Sequence, residues 1–302
     1  MEVKFSRLSG HSNELKKLKQ TWTQLELESD NVTFFTSWSW IGCWLRRLKF
    51  DSWLLKIEDN NKVIGLGVFV EKRKGIYPFV KKQLWLHKTG EQMFDQIWIE
   101  YNDLLVHRDY SERFNSKFWQ QLIELAVSRN QEIHVDVTKL KRPSELLGRD
   151  KMETEGFIKV LNDDYKGITS SLSRNTRQQI TRSKRLLQQK GELILTASSD
   201  FASRQKMLAD ISVRHIKQWG ETEWGSGFGN SEFSTFHQDL IEQDATVLLQ
   251  LSLNNAAIAY GYYFCFKDTV YFYLSAIERD DDSKIKVGMV FHIMAMEYFQ
   301  NL

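Results

Sequence analysis

Two histidines in the C-terminal half carry the side chain that proton-transfer chemistry needs. His215 and Trp219 are spaced by about one helical turn, so they share one face of a predicted helix. His237 lies on the next predicted helix, after a glycine-rich stretch at 220–229 that could act as a substrate loop. A neutral imidazole beside a substrate amine or hydroxyl accepts its proton. His215 and His237 are therefore candidate general bases, and a structural role is the alternative for each.

A second candidate site is the strand, loop and helix near the C-terminus. Lys284 and Lys286 come just before Gly288, at the start of a predicted helix. A helix N-terminus offers free N–H groups and the positive end of the helix dipole, and a glycine there lets phosphates approach the backbone. The segment therefore suits a pyrophosphate. The acidic run 280–282 would repel an anion unless it points away, and an ordinary solvated connection is the alternative.

A third candidate is a basic helix, which Ser173 caps and Gly191 ends. Arg174, Arg177 and Arg185 fall near one face, and no acidic residue interrupts the run. A guanidinium group pairs well with phosphate or carboxylate, so this face could hold an anionic ligand. Salt bridges or a solvated surface are one alternative, and contact with tRNA or an anionic sugar nucleotide is the other.

Composition limits the remaining classes of function. The 302 residues carry a net charge of only +2, which predicts no strong bulk attraction to DNA, RNA or an anionic membrane. Two distant cysteines make neither a disulfide framework nor a zinc site, and we expect no bound metal. The phosphate-binding loop, nucleophile elbow and paired-histidine zinc motif are all missing from the sequence. With no apolar signal core and no apolar run near the roughly 20 residues of a membrane span, we expect a cytoplasmic protein.

Strands and helices are mixed along the chain, which predicts an α/β fold with a mixed α+β sheet. In the N-terminal half, the patterns predict strands at 3–8, 53–58, 62–71, 82–87, 96–106, 132–138 and 157–161, and helices at 13–26, 34–48, 111–129 and 144–156. In the C-terminal half, they predict helices at 174–190, 201–219, 232–243 and 287–300, and strands at 192–197, 246–253, 256–266 and 269–277.

Two stretches of the chain, 53–69 and 247–263, align without a gap. Each reads as a strand, an Asn-Asn turn and a second strand, at Asn60-Asn61 and at Asn254-Asn255. Each keeps an isoleucine and a glycine at matching places after the turn and follows an aromatic helix that opens with a serine. Chance similarity between two hairpins is the alternative. The shared register favours a duplicated domain, with a first domain at 1–165 and a second at 166–302.

Taken together, these features resemble a known family. The order is Arg174-x-x-Arg177, His215-x-x-x-Trp219, a glycine-rich loop, Phe236-His237, a hairpin ending at Gly261, the strand 271–275, and a glycine at a helix start. This order is similar to the CelD-like branch of the GNAT acyltransferase superfamily, which is linked to polysaccharide biosynthesis and related to the Fem-type aminoacyl transferases. The close resemblance covers about 165–302, and tandem GNAT-like domains in that relationship agree with the duplication.

The resemblance implies transfer of an acyl group, typically acetyl, from acetyl-CoA or another acyl-CoA to an amine or hydroxyl. The acceptor would be a small molecule, with a sugar or polysaccharide precursor as one option, and no DNA would be involved. The implied roles are pyrophosphate binding by Lys286, Val287, Gly288 and Met289, and binding of the pantetheine arm by the strand with Tyr273 and Ser275. His215 or His237 would be the base, Trp219 would shape the acceptor pocket, and Arg174 and Arg177 would meet an anionic group of donor or acceptor.

Two departures from the family pattern keep rival functions open. The family loop usually reads Ser-Pro-Gly, whereas this sequence has Lys286-Val287-Gly288. The family also continues with further strands, whereas this sequence ends at Leu302, so we expect a second domain without its last strands. One rival is a Fem-type aminoacyl transferase, for which the basic helix would contact aminoacyl-tRNA. The other is a non-catalytic GNAT-like binding module.

Overall fold

A computed structural model describes residues 2–76, 79–111, 122, 124, 128, 131–134, 156–161, 167–222 and 225–302. The chain divides into two compact units. The first consists of Met1–Glu153 with Asn230–Leu240, and the second of Thr154–Gly229 with Ile241–Leu302. The predicted boundary near 165 lies outside the described residues. The division also assigns to the first unit a helix that the sequence placed in the second domain.

The first unit is built around a mixed sheet. Its described elements are β1 (Glu2–Leu8), α1 (Ser12–Leu27), α2 (Trp38–Arg47), β2 (Ser52–Asp59), β3 (Lys62–Lys74), β4 (Lys81–Leu86), α3 (Gln92–Asp95), β5 (Leu105–Val106) and β6 (Gln131–His134). The strand order is β1-β2-β3-β4-β6, and β5 pairs with β3. The β4–β6 pair is parallel and the others are antiparallel. Leu55, Ile57, Ile64 and Phe69 lie fully buried in its core.

The second unit contains an antiparallel sheet in the order β10-β9-β8-β7. Its elements are α4 (Arg174–Lys190), β7 (Leu193–Ala197), α5 (Phe201–Trp219), β8 (Thr246–Leu253), β9 (Ala256–Phe266), β10 (Thr269–Ile277) and α7 (Val287–Gln300). The remaining helix, α6 (Ser231–Leu240), belongs to the first unit, where Phe236 packs on Trp40 of α2 with 4.8 Å between ring centroids. With both sheets described, the predicted α/β class is confirmed.

The two faces of the second sheet carry different helices. On one face the Tyr260 hydroxyl donates to Asp210 of α5 at 3.0 Å. On the other face, Ala259 and Tyr263 share a core cluster with Phe291 of α7 and Leu187 of α4. Because side chains alternate along a strand, α5 lies on one face and α4 with α7 on the other. Among the described strands of this sheet, β10 and β7 are the two edge strands.

The two predicted hairpins have the same local geometry. Asn60 and Asn61 have φ values of 49° and 64°, and Asn254 and Asn255 have 49° and 65°, as expected for two-residue turns with positive φ. The strand register also shifts at matching places, after Ile57 in one hairpin and after Leu251 in the other. These features support the predicted duplication, and the domain boundaries stay a prediction.

Two predicted strands are wrong. At 96–106 only Leu105–Val106 is a strand. Asn102 donates instead from its side chain to the Leu86 carbonyl at 2.8 Å, and the Asp103 carboxylate accepts from the Leu104 N–H, so side chains replace the ladder bonds. At 157–161 the described backbone forms no strand, and Phe157 and Ile158 are exposed.

Some predicted elements lie outside the described residues. These are the helix at 144–156 except its last residue, the end of the strand at 132–138, and most of the helix at 111–129, of which Leu122, Glu124 and Ser128 are helical. Among the described residues, no helix combines the length and the apolar composition that a membrane crossing needs.

Candidate functional site

The second unit contains a groove of about 1080 Å³ between one face of α4 and the loop before α7. Six of its lining side chains are basic and none of the described lining residues is acidic. The basic residues are Arg174, Arg177, Arg182, Arg185, Lys284 and Lys286. Two of the three candidate segments of the sequence, the basic helix and the C-terminal loop, therefore meet in one groove.

Helix α4 presents its arginines to the groove because its other face is buried. Ile180, Ser183 and Leu187 recur at helical spacing and are buried. The helix begins at Ser173, whose hydroxyl accepts a hydrogen bond from the Thr176 N–H at 3.2 Å. Arg177 is held further by hydrogen bonds from its Nη1 to the carbonyl oxygens of Ser170, at 3.2 Å, and Leu172.

The loop lysines are fixed beside α4 by one buried serine. The Ser183 hydroxyl accepts from the Lys286 N–H at 3.0 Å and lies 3.4 Å from the Lys284 carbonyl oxygen, to which it donates. Ser183 is fully buried, whereas the side chains of both lysines are exposed. The backbone of the loop is therefore anchored, and its two ammonium groups are free to reach into the groove.

The acidic run before the loop does not line the groove. Lys190 binds both carboxylate oxygens of Asp280 at 2.7 Å, and this bond holds the pKa of Asp280 below its usual range. The Asp282 carboxylate accepts from the Lys284 N–H at 2.9 Å. Both carboxylates thus bond to the chain beside the loop, and none of residues 280–282 lines the groove.

The start of α7 differs from the expectation at Gly288. Val287 is buried, Met289 is partly exposed, and Gly288 is half-buried. A Cβ on Gly288 would lie 3.2 Å from Cδ1 of Ile277, the last residue of β10. The structure therefore gives Gly288 a packing role against β10, in addition to the open backbone that the sequence suggested.

Strand β10 is irregular where the sequence predicted contact with the donor arm. Its register with β9 shifts between Phe272 and Leu274, which makes Tyr273 the extra residue of a β-bulge. The Tyr273 side chain is buried against Tyr262 and Phe264, so it faces into the unit. Ser275 follows the bulge and is half-buried opposite Gly261.

His215 lies in a small polar cluster on the α5 side of the sheet. Its Nδ1 is 2.8 Å from the Ser226 hydroxyl, and that hydroxyl also accepts from the Phe228 N–H at 3.3 Å. Burial lowers the pKa of His215, which favours the neutral imidazole that a base needs. Trp219 packs at 6.3 Å from the His215 ring and leaves 43% of its surface exposed.

His237 does not share this environment. It lies on α6 in the first unit and is fully buried, with the Phe233 ring at 4.2 Å and the Trp40 ring at 6.3 Å. Burial lowers its pKa to about 3. The structure thus places the two candidate bases in different units, and His237 has the surroundings of a core residue.

The structure brings together Arg174, Arg177 and Lys286 on one side of the second sheet, and His215 with Trp219 on the other. Sequence reasoning missed the contribution of Arg182 to the groove, although this residue lies within the predicted basic helix. Helical spacing on α4 was the signal for Arg182. No local signal linked Ser226 to His215, because the two lie on different elements.

The second unit is similar to a known family. Residues 174–300 match the family model described as an acetyltransferase (GNAT) domain, and this range includes His215, β10 and every groove residue except Thr169. No curated protein matches the chain.

Two solved structures share the fold at low sequence identity, and a third aligns less well. FemX is 12% identical and aligns over 100% of this chain and 86% of its own, with a TM-score of 0.58. A conserved protein of unknown function from Bacteroides thetaiotaomicron is 13% identical over 100% of this chain and 87% of its own, with a TM-score of 0.50. A tandem GNAT protein from the clavulanic acid biosynthesis pathway is 10% identical over 99% of this chain and 86% of its own, with a TM-score of 0.38.

Proposed function

Because residues 174–300 match the model of a GNAT acetyltransferase domain, we propose that the second unit transfers an acyl group from acyl-CoA to an amine or hydroxyl. Acetyl-CoA is the proposed donor. The proposed acceptor is a small molecule, with a sugar-linked amine or hydroxyl as the first class to test. The GNAT-like nature of the first unit and the link to polysaccharide biosynthesis are part of the same proposal.

The observation that carries this proposal is the groove between α4 and the loop before α7. Its basic side chains have no acidic neighbour among the described lining residues, and it opens at the N-terminus of α7. A diphosphate needs this combination of cationic side chains and helix N–H groups. Lys286, with the first-turn residues Val287, Gly288 and Met289, would hold it from the α7 side.

The edge strand β10 connects the groove to His215. It ends at Ile277, beside the start of α7, and the next residue, Glu278, pairs with Arg214 of α5, the neighbour of His215. A donor arm that leaves the groove along this edge would pass Ser275 and then the bulge at Tyr273. Backbone N–H groups at such a bulge would stabilise the negative charge that develops on the acyl oxygen.

His215 is the proposed base, positioned by Ser226. With Nδ1–H donating to the Ser226 hydroxyl, Nε2 is the basic nitrogen and takes the proton that the acceptor loses. When bound, acyl-CoA supplies the thioester: the acceptor bonds to the acyl carbon, the carbon–sulfur bond breaks, and the thiolate leaves and is protonated. Trp219, with its exposed face beside His215, would form one wall of the acceptor site.

A cytoplasmic location is also proposed. Cys43 and Cys265 form no disulfide in the described structure, which suits a reducing compartment.

The direct test measures free thiol released from acetyl-CoA in the presence of a panel of amines and hydroxyl compounds. The His215→Gln variant keeps a hydrogen-bonding side chain of similar length and removes the base. Acceptor-dependent release that falls about a hundredfold or more in the variant supports the proposal. Release at equal rates by both proteins would assign the chemistry elsewhere.

The runner-up function is aminoacyl transfer from aminoacyl-tRNA. The same groove favours it, because a row of arginines on one helix face also suits RNA phosphates. Binding of tRNA that weakens steeply with salt, together with no binding of CoA, would favour this rival. Binding of CoA without turnover on any acceptor would instead favour a non-catalytic module.

A further inference from the structure

We propose that the basic groove holds two separate anionic groups of one donor: the 5′-diphosphate of coenzyme A at the α7 end, and its ribose 3′-phosphate at Arg174 and Arg177. This inference rests on the proposed function and deepens it. It assigns the two ends of one groove to different parts of the ligand and makes the 3′-phosphate a determinant of donor choice.

The first argument is charge. Four arginines and two lysines line the groove, and no acidic side chain among the described lining residues balances them. Arg174, Arg182, Lys284 and Lys286 form no ion pair with any described residue. A diphosphate carries about two negative charges, and the four basic residues at the α7 end, Lys284, Lys286, Arg182 and Arg185, suffice to meet it. The positive charge that remains, at Arg174 and Arg177, therefore calls for a further anion.

The second argument is distance along α4. Ser183 binds the loop at Lys286, so the α7 end of the groove lies level with the middle of this helix. Arg177 is about 9 Å and Arg174 about 14 Å from that level along the helix axis, at a rise of 1.5 Å per residue. Side chains on a helix lean toward its N-terminus, which carries these guanidinium groups still further away. One diphosphate, whose two phosphorus atoms share a single oxygen, does not reach both ends.

The third argument is that the end of the groove at Arg174 and Arg177 is arranged to receive an anion before the anion binds. Arg177 Nη1 donates to the carbonyl oxygens of Ser170 and Leu172, so its guanidinium is held in place before any ligand arrives. Arg174 is exposed in the first turn of α4, where the helix dipole adds positive potential. Thr169 and Asn175 line the same end and offer hydrogen bonds to phosphate oxygens. Arg174 forms no ion pair with a described residue, so a phosphate bound there would not have to displace one.

The test compares coenzyme A with 3′-dephospho-coenzyme A by calorimetric titration of the full chain. The wild-type protein should bind coenzyme A roughly tenfold more tightly, the effect of one charged hydrogen-bonded contact. Arg174→Gln should weaken the binding of coenzyme A to the level of the dephospho form and so remove this preference. The affinity of the variant for the dephospho form itself should stay unchanged. Arg182→Gln, at the other end, should weaken both ligands by similar factors. Lys206→Gln, an exposed residue of α5 outside the groove, is the control for loss of one positive charge.

The outcomes separate this inference from the function on which it rests. Equal binding of the two ligands by the wild-type protein would overturn the second site and leave the proposed donor intact. A preference that survives Arg174→Gln would place the 3′-phosphate elsewhere and also overturn it. If neither ligand binds to the folded protein, the acyl-CoA function itself fails. Circular dichroism of each variant establishes that the fold is retained.

Discussion

The backbone N–H of Lys286 donates to the hydroxyl of Ser183 at 3.0 Å, across 103 positions of the chain. Ser183 is fully buried on α4, whereas the Lys286 side chain is exposed in the groove. This contact fixes where the first turn of α7 lies along the axis of α4, and therefore how far it is from the arginines of α4. Because the two basic segments are joined here, they would act on one ligand in the proposed function.

Replacing Ser183 by alanine should therefore affect both stability and binding. The change leaves the Lys286 N–H and the Lys284 carbonyl without their buried partner, which costs about 1–3 kcal/mol of unfolding free energy. The affinity for CoA should fall with it because the loop loses its anchor. Chemical denaturation and calorimetry measure the two effects. Ser212→Ala, which removes a hydroxyl on α5 bonded to the Ala209 carbonyl, should change stability by less than about 0.5 kcal/mol. Equal behaviour of the two variants would contradict the anchoring role.

Substitutions of His215 and of His237 should have different effects on the kinetics. His215→Gln should lower kcat by about 10²–10⁴ because it removes the base, with little change in the KM for acetyl-CoA. His237→Gln should leave kcat within a few-fold in the fraction that stays folded and should lower thermal stability instead. Steady-state rates on one acceptor, normalised to folded protein, check this. A loss of kcat confined to His237→Gln would reverse the assignment.

Acid should destabilise the first unit through its buried histidines. Burial lowers the pKa of His87 to about 4 and that of His237 to about 3, whereas the unfolded chain titrates near 6.5. The unfolded state binds more protons between these values, so stability is full above about pH 6.5 and is lost as the pH falls toward the folded pKa. The slope should approach about 1.4 kcal/mol per pH unit for each histidine. Urea unfolding between pH 7.5 and 4.5 measures it.

The variant His237→Phe keeps a ring of similar size. It should reduce the slope of stability against pH by the contribution of one histidine. His11→Gln, at an exposed position, is the matched control. A slope that stays the same in His237→Phe would show that this side chain titrates alike in both states.

Helix α6 should depend on one aromatic contact for its place in the first unit. Trp40 is almost fully buried between Phe35 and Phe236, each with its ring centroid 4.8 Å away. Trp40→Ala should lower the unfolding free energy by about 3–5 kcal/mol. Trp219→Ala removes a partly exposed ring and should change stability far less while raising the KM for the acceptor. Similar stability losses in the two variants would contradict the packing described.

Local patterns were sufficient for most elements. The Asn60-Asn61 turn and α4 follow from turn chemistry and helical spacing, which act within a few residues. The strand predicted at 96–106 failed because Asn102 and Asp103 bond to the backbone in place of a ladder. The meeting of Arg177 with Lys286 depends on Ser183 across 103 positions, a contact that no local pattern encodes.

The surroundings of His237 were also beyond local prediction, for a different reason. The sequence correctly placed it on a helix, but the apolar face of that helix packs on Trp40 of the first unit. A helix whose neighbours along the chain belong to the second unit gives no local sign of this. His215, by contrast, kept its predicted face beside Trp219 because both lie within a single helix.

The central claim is that the groove between α4 and α7 binds coenzyme A, and calorimetric titration of acetyl-CoA into the purified chain tests it most directly. Lys286→Gln removes the charge at the α7 end, and Lys206→Gln removes one charge outside the groove. We predict saturable binding that Lys206→Gln preserves and that Lys286→Gln weakens about tenfold or more. No heat of binding in the folded wild-type protein, or equal weakening in both variants, would contradict the claim.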